Sequence, residues 1–122
     1  MAIITEDYVS FEVATLLRKK GFDGEVHAWH NVFDRTNLDF SLGEAPHCNI
    51  PAPTLQMAMK WLREVHNINI DIVPIWNQKR FEYQVFVVTP ENAKHCYVDD
   101  KLYLGYEEAV EAAIKYCLEH LI

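Results

Sequence analysis

Thr54-Leu55-Gln56-Met57-Ala58-Met59-Lys60-Trp61-Leu62-Arg63-Glu64-Val65-His66-Asn67-Ile68-Asn69-Ile70-Asp71-Ile72-Val73 decides the fold, because its apolar period changes at Asn67. Before Asn67, Leu55, Ala58, Met59, Leu62 and Val65 recur at helical spacing. Trp61 flanks that stripe, and Lys60, Arg63 and Glu64 take the solvent side. Thr54 is placed to cap the helix start, and Asn67 to end it in the left-handed conformation. After Asn67 the residues alternate: Ile68, Ile70 and Ile72 toward a core, Asn69 and Asp71 toward water. Pro74 permits only an edge position. Trp76-Asn77-Gln78-Lys79 turns the chain, and Arg80 to Val88 returns as a second strand. Its Phe81, Tyr83, Val85 and Val87 share one face; Glu82 and Gln84 share the other. Phe86 and Val88 interrupt the polar face, which predicts a helix over that end.

Outward from this unit, a helix is expected from about Asp7 to Lys20, with Val9, Val13, Leu16 and Leu17 as its stripe. Ser10 and Thr5 both qualify as its cap. Gly21 is placed to terminate it, with Phe22 folding back onto Leu17. A strand over Glu25 to Phe33 and another over Leu38 to Leu42 predict a hairpin. Gly43 to Pro53 contains Pro46, Pro51 and Pro53 and reads as a surface loop. His95 to Leu104 reads as a short hairpin or one bulged strand. The last helix starts at Gly105 or Tyr106, and Ala109, Ala113, Cys117 and Leu121 form its stripe. The expected fold class is α+β: an antiparallel sheet of four to five strands with about three helices packed mainly on one face. Residues 1–122 are expected to form a single α+β domain.

The totals bound the function classes. Net charge is −7, so a polyanion meets net repulsion, and the basic residues come only in small groups. No apolar run approaches the ~18 residues of a membrane span, and the acidic start Glu6-Asp7 does not resemble a signal peptide. Cys48, Cys96 and Cys117 are odd in number and scattered, which suits thiols in a reducing cytoplasm.

The run Pro51 to Ile68, together with Tyr106-Glu107-Glu108-Ala109-Val110-Glu111-Ala112-Ala113-Ile114, resembles a group of short, uncharacterised proteins carried by phages and prophages of gut bacteria. The likeness covers about half of the chain. It implies a small cytoplasmic accessory protein of a mobile element, and it brings no catalytic residue.

Candidate chemistry is sparse. His47-Cys48 and His95-Cys96 would supply four zinc ligands if brought together, but adjacent residues seldom ligate one tetrahedral ion. His27 and His30 lie three apart on an expected strand and so point to opposite faces. Cys96 with His95 or His47 is the least unfavourable of the nucleophile pairs, and Cys117 belongs to an apolar stripe. No Gly-rich phosphate loop or hydrolase motif is present. No cofactor, metal or catalytic residue is assigned. Trp76 follows Pro74 at the end of an edge-like strand, beside Lys79 and Arg80, and an aromatic with neighbouring Arg suits an interface anchor. Trp61 joins them as a candidate interaction residue. The expected function is therefore protein–protein contact, with a second copy or a host or phage protein as partner. A sheet-based nucleic-acid reader ranks below it, because the expected open face carries Asn69, Asp71, Glu82 and Gln84. A small Cys/His-dependent enzyme ranks third.

Overall fold

The computed structural model describes residues 5–33, 38–40, 49–98 and 101–122. The elements are α1 (Phe11–Lys19), β1 (Ala28–Asn31), β2 (Leu38–Phe40), β3 (Asn49–Pro51), α2 (Leu55–His66), β4 (Ile68–Ile75), β5 (Arg80–Val88), β6 (Ala93–Val98) and α3 (Tyr106–His120). The class is α+β. Among the described residues the strands form two antiparallel three-stranded sheets, in the orders β2-β1-β3 and β4-β5-β6, where a single sheet of four to five strands was expected. Each sheet uses three strands consecutive in sequence, and α2 separates the two groups. β1 and β5 are already paired on both sides, so each sheet closes around its own centre.

The helix ends follow the sequence signals. The Ser10 hydroxyl accepts from the Val13 N–H at 3.2 Å, so Ser10 rather than Thr5 caps α1. Gly21 has φ +89°, and the N–H groups of Phe22 and Gly21 donate to Leu17 O and Arg18 O. Both bonds belong to the Schellman arrangement. In α2 the Thr54 hydroxyl accepts from Met57, and Asn67 takes φ +59° before the chain enters β4.

Three expectations change. The segment read as a loop contains β3, where Ile50 is 6% exposed and Ala52 is fully buried. Ala52 N–H donates to Ala28 O, and alternation along the ladder turns the Pro51 nitrogen away from β1, so its missing donor is not needed there. Val65 aligns with Ala58 two turns earlier but is 55% exposed, while Trp61 is only 8% exposed. The buried face of α2 is thus rotated toward Trp61. Phe86 meets the ring of His95 on β6 at 4.9 Å and Val88 is exposed, in place of the helix cover expected there.

α3 is the centre of the molecule. Ala109, Val110, Ala113, Ile114, Cys117 and Leu118 are fully buried. They face β4 and β5 on one side and α1 and α2 on the other, and α1 in turn reaches β3. Two polar contacts tie α3 to α1. Glu111 Oε1 accepts from the Ser10 N–H at 2.6 Å, and Lys115 Nζ lies 2.9 Å from Glu12 Oε1.

Ile114→Ala is expected to lower the unfolding free energy by about 2–5 kcal/mol, measured by urea denaturation. A loss below that range would mean that the cavity collapses freely. The hydrogen bond from Lys115 to Glu12, and then the Glu12 charge, raise the Lys115 pKa above its ordinary 10.5. A raised folded pKa stabilises the protein at and below the ordinary value, and that gain is lost as pH rises through the raised one. The stability difference between the native chain and Lys115→Met is therefore expected to be level across neutral pH and to shrink in strong alkali. Stability curves at a series of pH values measure it.

Candidate interaction surface

The tip of the β4–β5 hairpin is built locally. Ile75 and Arg80 form the last cross-strand pair, Gln78 N–H donates to Ile75 O at 3.1 Å, and Lys79 takes φ +52° to close the loop. Arg80 Nη1 lies 3.3 Å from Gln78 O and 3.2 Å from Lys79 O, so the guanidinium is folded against the turn. Trp76 stands at the start of this turn with 88% of its surface in water. An indole of ~200 Å², covered at ~25 cal/mol/Å², offers up to about 5 kcal/mol to whatever covers it.

Trp76, Lys79 and Arg80 are therefore together. Trp61 is elsewhere: it packs edge-on against Phe22 at 5.6 Å and against His66 at 4.7 Å. Its remaining edge lines a shallow groove of about 190 Å³ with Phe22, Met57, Lys60 and Glu64. Sequence reading missed other exposed apolar residues: Phe33 (85%), Leu104 (68%), Phe40 (64%) and Val65 (55%). Phe33 just past β1 and Val65 in the last turn of α2 carry a partial signal, since element ends are where cover runs out.

The hollows among the described residues are small or wide open, and the roomiest, an open groove of about 300 Å³ along α1 lined by Phe11, Glu12, Thr15, Leu16 and Lys19, only reaches the lower end of the range for a small-ligand site. One of about 180 Å³ is lined by Tyr8, Glu25, His27, Pro53, Thr54 and Met57. Sites for drug-sized molecules run from ~300 to 1,000 Å³. The Thr54 hydroxyl there is already engaged as the α2 cap. His27 is exposed, whereas His30 is buried with Nε2 2.7 Å from Val9 O, so the two do not form a site. Among the described residues no three His, Cys, Asp or Glu side chains gather in a way that would hold a metal. His47, Cys48 and the side chain of Cys96 lie outside the described residues.

Trp76 is the accessible indole; Trp29 and Trp61 are each 8% exposed. Trp76→Phe should remove most of the iodide-quenchable tryptophan fluorescence and leave a shielded remainder. Undiminished quenching in the variant would contradict this placement. Comparison with known proteins finds no family model, no curated protein and no solved structure that matches the chain.

Proposed function

We propose that the chain is a non-catalytic accessory protein of a phage or prophage that acts in the cytoplasm through protein–protein contact. The observation that carries this reading is Trp76, 88% exposed at a hairpin tip beside Lys79 and Arg80. An aromatic that a partner can bury, with a basic neighbour, is what interface hot spots are made of, and a tip is the part of a hairpin that reaches a partner first. The mobile-element setting is supported by the resemblance of the α2–β4 and α3 segments.

The charge pattern favours a protein partner over nucleic acid. Alternation places Asn69, Asp71, Glu82 and Gln84 on the sheet face away from α3, and a phosphate backbone would meet Asp71 and Glu82 there.

A photo-crosslinking amino acid at position 76 tests the reading in cells that express the chain, with exposed position 91 as the reference site. The expected result is one discrete adduct from position 76 that is absent from position 91. Equal labelling from the two positions, or none, would overturn the proposal.

A further inference from the structure

The turn carbonyls occupy only one nitrogen of the Arg80 guanidinium. Nη1 donates to Gln78 O at 3.3 Å and to Lys79 O at 3.2 Å, while Nε and Nη2 have no partner among the described residues. The Nε and Nη2 N–H groups lie along one edge of the fork, the spacing that a carboxylate meets with two parallel bonds. That edge is also held in place. The two carbonyls fix the plane of the guanidinium, so less side-chain freedom is lost when a ligand arrives.

The surroundings of the fork are apolar. Phe81 meets Tyr106 of α3 and Tyr83 meets Tyr116, so alternation turns Arg80 and Glu82 to the opposite face of the sheet. Arg80 pairs with Ile75 of β4 on one side. On the other, Tyr103 and Phe81 exchange two main-chain bonds of 2.8 Å, which sets Leu104 beside Arg80. The row across the sheet is therefore Ile75, Arg80, Leu104, and Trp76 directly follows Ile75. Such neighbours lie ~5 Å apart, so the fork has an apolar residue on each flank. Leu104 and Trp76 are exposed and Ile75 is partly so. Lys79 adds a second positive charge, and neither Lys79 nor Arg80 is in an ion pair among the described residues. The tip is thus locally basic on a chain of net charge −7.

We propose that the partner at this tip is a protein segment that offers a carboxylate side chain between apolar residues. The carboxylate enters the Arg80 fork, Lys79 adds attraction, and the apolar neighbours cover Trp76 and Leu104. This rests on the reading that the chain works by contact at Trp76, and it names the chemistry of the partner. The charge pattern selects a carboxylate over a phosphate chain. Glu82 follows Arg80 on the same face and Asp71 lies further along it, so a run of phosphates would meet like charge beyond the first. A single carboxylate does not reach that far.

Two fluorescein-labelled amphipathic peptides, differing only in carrying glutamates or glutamines, are the probes, with a single-stranded oligonucleotide as the third. Fluorescence anisotropy reads their binding to the whole chain. The glutamate peptide is expected to bind about tenfold more tightly than the glutamine peptide, the worth of one charge-assisted pair. Arg80→Gln should abolish that preference. Arg80→Lys keeps the charge, loses the fork, and should remove most of it. Lys79→Glu leaves Arg80 its main-chain partners and should weaken the glutamate peptide alone, so unchanged binding of the glutamine peptide reports an intact tip. Equal affinity for the two peptides, no binding of either, or tighter binding of the oligonucleotide overturns the proposal, as does a preference that survives Arg80→Gln. The contact reading is scored separately by the position-76 adduct in cells. An adduct that persists undiminished in Arg80→Gln overturns the carboxylate partner and leaves the contact reading standing, whereas no adduct from the native chain overturns both.

Discussion

The structure depends on how closely α3 approaches its neighbours. Ala109 and Ala113 are fully buried, and small side chains at helical spacing let a helix axis come near a sheet. Val110, Ile114, Cys117 and Leu118 fill the space around them. That face closes over β4 and β5 and also touches α1 and α2. Removing it would expose the apolar sides of four elements together, which no surface ion pair offsets: exposed pairs contribute ~0–1 kcal/mol. The Lys115–Glu12 bridge is accordingly a fastening for α1, and the apolar seam beneath it supplies most of the free energy.

The two sheets are not equally secure. The second rests directly on α3 and has strands of eight and nine residues at its heart. The first has strands of three and four residues, and among the described residues its main link to α3 runs through α1. It also carries a cost, since Trp29 Nε1 and His30 Nδ1 are buried with no hydrogen-bond partner among the described residues. Each such atom forfeits about 1–3 kcal/mol. Local opening therefore begins in the first sheet and stops at the α3 seam.

Much of this was legible in the sequence, and the failures have physical causes. The change of period at Asn67 announced α2 and β4 because helix and strand demand different spacings from the same apolar set. Gly21 and Asn67 announced helix ends because only such residues sit comfortably at positive φ. β3 was hidden because Pro51 and Pro53 argue against strands in general, and only the ladder phase reveals that the Pro51 nitrogen faces away from β1. A single expected sheet became two because pairing across α2 is a long-range property that periodicity does not encode. At the candidate surface, Trp76 was readable from Pro74 before it and the turn after it. Trp61 was not, since a helix stripe read from spacing alone does not say how wide the covering surface is.

Amide hydrogen exchange under native conditions tests the central claim, that the α3 seam is the last part of the fold to open. The account predicts that Ala113, Ile114 and Cys117, with Tyr83 and Val85 of β5, exchange only through global unfolding, while Trp29 and His30 exchange through smaller openings. If α3 amides exchange faster than those of β1, the seam is not what holds the molecule together.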